Sequence, residues 1–102
     1  MSEMKTYIIK NEYLEVHILN FGGTVDKIYC KDSNGNMENV LLSYKKKEDY
    51  INFPGPYLNA LVGPIAGRIK DGKCNGREFT VNNGTNHLHG GNDGVSCVYW
   101  DI

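Results

Sequence analysis

A chain of 102 residues is enough for one small domain, and its formal net charge of −1 presents no basic face to nucleic acid or an anionic membrane. Apolar residues make up 40% of it, and no uninterrupted apolar run approaches the roughly 20 residues that span a bilayer, so a soluble protein is expected. Met1-Ser2-Glu3-Met4-Lys5 lacks a signal-peptide core, and the widely spaced Cys30, Cys74 and Cys97, with no Cys-x-x-Cys pair, fit free thiols in the cytoplasm.

In chain order, Thr6-Tyr7-Ile8-Ile9 is β-branched and aromatic and reads as a strand, broken by Lys10-Asn11-Glu12. Between Tyr13 and Leu19, Leu14, Val16 and Ile18 alternate with Tyr13, Glu15 and His17, the period of a half-buried strand. His17 falls on the face away from the apolar residues and reads as an ordinary exposed or edge histidine. Phe21-Gly22-Gly23 predicts a turn, and Thr24 to about Lys31 the next strand. Asp32-Ser33-Asn34-Gly35-Asn36 is a hairpin signal, because Asn-Gly readily supplies positive φ angles, with Asn39-Val40-Leu41-Leu42 as the returning strand.

Residues Ser43 to Asn52 are polar, anchored by Tyr44 and Tyr50, with room for a short helical turn. Lys45-Lys46-Lys47 is followed at once by Glu48-Asp49 and reads as a solvated loop. Phe53-Pro54-Gly55-Pro56-Tyr57 cannot be helix interior. Leu58 to Ile69 is apolar but carries Gly63, Pro64 and Gly67, so a distorted strand or irregular segment is expected. Asn75-Gly76 predicts a second hairpin turn feeding a strand from Arg77 to Val81, Asn82 to Asn86 another loop, and Val95 to Ile102 a last strand. The fold class is therefore all-β. Ending inside a strand-like pattern, without a polar tail, the chain is expected to be truncated after Ile102.

His87 and His89 form an i, i+2 pair, which in an extended segment projects to one face. Two imidazoles so placed could bind a metal, but no carboxylate or thiolate stands at ligand spacing, and no metal is assigned. Gly90-Gly91 lets the backbone turn sharply beside a ligand. Arg68 follows Gly63-Pro64-Ile65-Ala66-Gly67, a run of mostly small residues. Its guanidinium offers fixed donors suited to paired sugar hydroxyls or a ring oxygen, with a surface Arg of no role as the alternative. Asp49, Asp71, Glu78 and Asp93 sit beside turns and single out no acid/base pair. No phosphate-cradling loop and no serine nucleophile elbow is present.

Four segments, in order, resemble the aldose 1-epimerase (galactose mutarotase) family. Phe21-Gly22-Gly23-Thr24-Val25-Asp26-Lys27-Ile28 with Asn39-Val40-Leu41-Leu42 is similar to its opening hairpin. Tyr50 and Tyr57-Leu58-Asn59-Ala60-Leu61-Val62-Gly63 are similar to its tyrosine-rich approach to the sugar site. Gly63-Pro64-Ile65-Ala66-Gly67-Arg68-Ile69 resembles its Gly-Arg-x-Ala-Asn-Arg-Ile motif. Asn86-His87-Leu88-His89-Gly90-Gly91, with Gly94 and Trp100, resembles its Asn-x-Leu-His-Gly-Gly segment. Two positions depart from the family: Gly67 stands where an Asn is usual, and Pro64 where an earlier Arg is. The stretch between Arg68 and His89 is also shorter, which tight hairpins around Asn75-Gly76 and Asn83-Gly84 would explain.

The resemblance implies a large antiparallel β-sandwich of the galactose mutarotase-like supersandwich type, with residues 1–102 as the N-terminal part of a single domain. It implies a cofactor-free enzyme that interconverts the α and β anomers of an aldohexose such as galactose or glucose. It further implies that Arg68, His89 and the backbone of Gly67 bind the sugar, while the catalytic acid His and base Glu lie beyond Ile102. The alternatives are a non-catalytic carbohydrate-binding β module, and a fragment with exposed β edges and no function of its own.

Overall fold

The computed structural model describes residues 3–101. Four strands, β1 (Thr6–Lys10), β2 (Leu14–Leu19), β3 (Val25–Lys31) and β4 (Met37–Asn39), form an antiparallel sheet in that order. Consecutive antiparallel pairing needs only tight turns, and side chains build two of them. Asn11 Oδ1 accepts the main-chain N–H groups of Tyr13 and Leu14, each at 2.8 Å. Asp32 Oδ1 accepts those of Asn34 and Asn36 at 2.8 and 2.9 Å.

The second of these turns corrects the expected returning strand. The turn closes with the Asp32 N–H on the Asn36 carbonyl, so Met37 already pairs with Lys31. The strand then ends at Asn39: the Val40 N–H still reaches the Ile28 carbonyl, but Asn39 Oδ1 takes the Ile28 N–H that the next ladder bond would use, and the Leu41 N–H as well. Val40 and Leu42 are left 67% and 77% exposed rather than paired in a strand.

The alternation expected in β2 is present, and the register sets Ile9, Val16 and Ile28 side by side, with Tyr7 beside Ile18 further along. The burial expected with it is incomplete, since Leu14 and Ile9 remain 42% and 64% exposed. His17 is half-buried, its Nε2 2.7 Å from Glu15 Oε2 and its ring against Tyr29. The radius of gyration is 16.3 Å, where a compact domain of this length has about 13 Å. The sheet face is thus an apolar surface that these residues do not themselves cover.

The core lies where the end of β2 meets the Phe21 turn. Leu19, Phe21 and Tyr50 are buried there with Thr24 and Asp26, and Leu88 is buried further along the chain. Buried Asn20 ties three segments together: its Oδ1 accepts from the Lys5 N–H, its Nδ2 donates to the Glu3 carbonyl, and its own carbonyl accepts from the Trp100 N–H. The expected last strand is a second correction. Val95–Cys97 is a 3₁₀ turn, because the Val95 N–H is drawn to the Gly63 carbonyl and the Cys97 N–H to that of Gly94. Only Tyr99 pairs, with Phe21, since the turn there offers too short a partner for a ladder. Ile102 lies outside the described residues.

The short helix α1 (Asp49–Asn52) places Tyr50 inward, its ring 4.9 Å from that of Tyr44, as the two anchors suggested. After an irregular stretch come β5 (Arg68–Ile69), β6 (Lys73–Cys74), β7 (Arg77–Glu78) and β8 (His87–Leu88). β6 and β7 are joined by Asn75-Gly76, with φ angles of 50° and 75°, the two positive values a tight hairpin needs. The strand expected to reach Val81 stops at Glu78; beyond it the Phe79 N–H turns to the Gly72 carbonyl. Among the described residues no helix is long and apolar enough to cross a membrane.

Candidate functional site

β5 and β8 pair antiparallel, Arg68 opposite Leu88 and Ile69 opposite His87. At the end of this ladder Gly67 and His89 exchange two bonds. The His89 N–H donates to the Gly67 carbonyl, and the Gly67 N–H donates to His89 Nδ1, both at 3.0 Å. An N–H donor requires a bare acceptor, so this geometry assigns the proton of the neutral ring to Nε2. His89 therefore carries a single ring donor, Nε2–H. The N–H of Gly67 is committed to the ring, leaving a ligand only the second lone pair of its carbonyl.

Arg68 is exposed, and its Nε donates to Asn83 Oδ1 at 2.9 Å. One donor of the guanidinium is thereby used to aim the rest. The structure thus brings Gly67, Arg68 and His89 to one end of the β5–β8 ladder.

It separates His87 from His89. His87 is 4% exposed, and its Nδ1 lies 2.7 Å from the Thr80 carbonyl, so its proton sits on the opposite nitrogen from that of His89. The expected common face is lost because β8 ends at Leu88 and His89 takes a φ of 50°, which turns the chain. Among the described residues no three His, Cys, Asp or Glu side chains converge as a ligand set would. Gly90 completes the turn at a φ of 86°; a Cβ there would overlap the carbonyl of Gly63, to which the Val95 N–H also donates. Glycine is required by this close approach of backbone to backbone.

Tyr57, at a φ of 55°, packs edge-on against His89 with ring centroids 4.8 Å apart. Two large aromatic residues in the left-handed region, in contact, are strained in a way that concentrates at functional sites. The Tyr57 hydroxyl donates to the Leu88 carbonyl at 3.2 Å and accepts from Asn82 Nδ2 at 2.8 Å. Burial, with Cys97 nearby, pushes the phenol pKa up, which keeps it a donor. The Asn82 carboxamide also pairs with both main-chain groups of Leu88, at 2.7 and 3.0 Å. The sequence reading passed over Asn82 and Asn83 as loop; the available signal was Asn-Asn-Gly beside the His-x-His segment, since a carboxamide can satisfy backbone where no strand does.

A cleft of about 110 Å³ opens beside this cluster, walled by Pro54, Tyr57, Asn82, Asn83, Leu88 and Asn92 among others. No carboxylate lines it, and neither Arg68 nor His89 does; the cleft touches their partners instead. Its volume is well below the roughly 300–1,000 Å³ usual for a small-molecule site. A separate buried pair links β3 to α1: the Tyr50 hydroxyl donates to Asp26 Oδ1 at 2.9 Å, with Lys27 Nζ 3.8 Å from the same oxygen. Burial, reinforced by the Asp26 carboxylate, pushes the Tyr50 phenol up to about 12.

Known proteins supply the context. The family profile described as aldose 1-epimerase matches residues 5–102. A galactose mutarotase from Bos taurus is 34% identical over 101 residues, covering 95% of this chain and 29% of the relative. An aldose 1-epimerase from Lactobacillus helveticus is 33% identical over 100 residues, covering 93% of this chain and 72% of the relative. Among solved structures, an aldose epimerase homologue from C. elegans superposes with a TM-score of 0.82 at 27% identity, over 98% of this chain and 32% of that one. A galactose 1-epimerase from Lactobacillus acidophilus gives 0.77 at 32% identity, over 98% and 30%. The chain spans about 29% of the length of the mammalian mutarotases it matches. With the profile match covering nearly all of it and its strands superposing on galactose mutarotase-like folds, this chain belongs to the aldose 1-epimerase family.

Proposed function

We propose that this chain forms the sugar-holding wall of an aldose 1-epimerase that interconverts the α and β anomers of an aldohexose. The observation that carries the reading is the end of the β5–β8 ladder, where a fixed Nε2–H donor on His89 stands one residue from the aimed guanidinium of Arg68. Anomer exchange requires a base to remove the proton of the C1 hydroxyl and an acid to protonate the ring oxygen. The ring C–O bond then breaks, C1 rotates, and the ring closes on the other face. Arg68 offers donors only and does not lose its proton in a protein, so it cannot be the base. His89 has its one basic nitrogen occupied by Gly67. Both residues are suited to hold and polarise sugar oxygens, and the acid His and base Glu come from the remainder of a longer β-sandwich. That remainder would also cover the open apolar face of β1–β3 and enclose the shallow cleft. The free thiols Cys30, Cys74 and Cys97 suit a reducing, cytoplasmic setting.

The test is polarimetry of fresh α-D-glucose or α-D-galactose with the whole protein. It should accelerate mutarotation, and Arg68→Ala or His89→Ala should lower kcat/KM by roughly 10- to 100-fold, the worth of one oriented donor. An unchanged rate in both variants sinks the assignment. Sugar binding by calorimetry without any acceleration would instead establish a carbohydrate-binding module.

A further inference from the structure

We infer that Asn82 is a positioning residue for the sugar-holding histidine: its one carboxamide clamps Leu88 and Tyr57 and so fixes the His89 ring with Nδ1 turned to Gly67 and its proton on Nε2. The inference rests on the reading of His89 as a sugar donor for its purpose, but not for its geometry.

Leu88 stands opposite Arg68 in the β5–β8 ladder, yet both its main-chain groups go to Asn82, on the edge away from β5. The carboxamide accepts the Leu88 N–H through Oδ1 and donates to the Leu88 carbonyl through Nδ2, taking the place of a neighbouring strand. The next pair along, Gly67 and His89, would ordinarily exchange two main-chain bonds. Only one is made in that form, from the His89 N–H to the Gly67 carbonyl. In the other, His89 Nδ1 stands in for the residue's own carbonyl as acceptor of the Gly67 N–H. That substitution requires the left-handed backbone at His89, φ 50°, which an unrestrained residue there would leave.

Two contacts of Asn82 oppose such a relaxation. By pairing with Leu88 it fixes the peptide immediately before His89. Through its remaining Nδ2 proton it binds the Tyr57 hydroxyl, whose ring lies edge-on to the imidazole. Asn82 is in turn held by its own N–H on the Asn86 carbonyl, within the turn bridged by Asn83 and Asn86. The next residue, Asn83, aims Arg68. Consecutive carboxamides of one turn thus serve the two sugar-holding side chains separately. The chemistry specifies an amide at position 82, because Asp could keep the Leu88 N–H but would face the Leu88 carbonyl and the Tyr57 oxygen without a proton to give.

Long-range ¹H–¹⁵N NMR of the imidazoles in the full chain tests this, because protonated and bare ring nitrogens differ in shift. In the unsubstituted protein His89 should show its proton on Nε2 and His87 the reverse pattern, from its bond to Thr80. In Asn82→Asp the His89 signals should move to those of a tautomer mixture, while His87 keeps its pattern and so reports an intact fold. If His89 stays purely Nε2-protonated beside an unchanged His87, or is Nδ1-protonated from the start, the inference is overturned. Should Asn82→Asp lose both patterns by unfolding, Asn82→Ala, which removes both contacts without adding a charge, is read in its place with the same two outcomes. In the whole enzyme Asn82→Asp should lower kcat/KM roughly tenfold or more through misplacement of the donor. A tautomer shift as expected, alongside mutarotation indifferent to His89→Ala, would leave the positioning role standing and defeat the sugar-holding function.

Discussion

The meander of residues 6–39 and the site region of residues 57–97 are both built from short segments and turns, but different bonds hold them. In the meander, strands of three to seven residues pair with their neighbours through main-chain ladders. In the site region each strand has two residues, and the structure rests on carboxamides pairing with backbone and on glycines that let backbones touch. A ladder spreads its stabilisation over many similar bonds, so one change is absorbed. A lock made of single contacts fails at once when any of them is lost. Matched glycines make the contrast measurable. Gly90 and Gly35 have nearly the same φ, 86° and 83°, but a Cβ at Gly90 overlaps the Gly63 carbonyl while one at Gly35 meets nothing within 4 Å. Gly90→Ala should have the largest effect of any substitution considered, about 4 kcal/mol or more in urea unfolding. Gly35→Ala should cost about 1–2 kcal/mol, the left-handed backbone penalty alone. Equal losses would mean that the close approach at Gly63 adds nothing.

Leu19 is 0% exposed, its N–H on the Thr24 carbonyl across the Phe21 turn, and that turn meets the second region where the Leu61 N–H donates to the Gly22 carbonyl. Leu19→Ala should cost about 3 kcal/mol, within the usual span for a buried leucine. Because it undermines the meander and the Phe21 turn together, both should melt in one transition. Amide exchange that accelerates in β1–β3 but stays unchanged around His89 would show that the regions are independent.

That division also explains what could be read from the residues alone. The strand through Leu14, Val16 and Ile18, the Asn34-Gly35 and Asn75-Gly76 turns, and the Pro54 and Pro56 breaks act through local periodicity or backbone preference, and each appears in the structure where expected, though burial along the strand does not alternate. The returning strand was misplaced because Asn39 ends the ladder with its side chain, a choice invisible to periodicity. The last strand was misplaced because Val95 answers to Gly63, far away in sequence. Arg68, His89 and Gly67, singled out by their motifs, are neighbours at one end of the β5–β8 ladder. The shared face of His87 and His89 was not legible, since it assumed extended backbone where His89 is left-handed. Asn82 was not either, because its role exists only once Leu88 and Tyr57 have been brought beside it.

A smaller effect probes the contact between the meander and the short helix that follows it, where Asp26 of β3 meets Tyr50 of α1. The Tyr50 phenol has an ordinary value of 10.0 and is raised to about 12 in the fold, by burial first and the Asp26 carboxylate second. The fold therefore favours the protonated phenol. This contribution is whole below pH 10 and is lost as pH rises through about 12. Urea midpoints should fall across that interval, and Tyr50→Phe should flatten the fall. A residual slope of the same sign is expected from Tyr57, whose phenol is also raised. An identical slope in Tyr50→Phe would remove the Asp26–Tyr50 bond from the account of alkaline stability.

The smallest stability change is expected at Gly67, one of the two positions that depart from the family motif. Its φ of 80° lies in the left-handed region, but a Cβ would meet nothing within 4 Å. Asn tolerates that backbone better than other side-chain-bearing residues, and its N–H would still reach His89 Nδ1. Gly67→Asn should therefore change stability by less than about 1 kcal/mol, whereas Gly67→Val, β-branched in the same conformation, should cost about 2 kcal/mol. The two substitutions separate the roles of backbone and side chain at one residue. If the wall of the site is held as the structure holds it, Asn restores an amide beside Arg68 without disturbing the His89 ring. Sugar affinity of the whole protein, measured by calorimetry, should then rise while the Nε2–H tautomer stays unchanged. An affinity that stays flat would show that at this position the backbone bond to His89 is all the site needs.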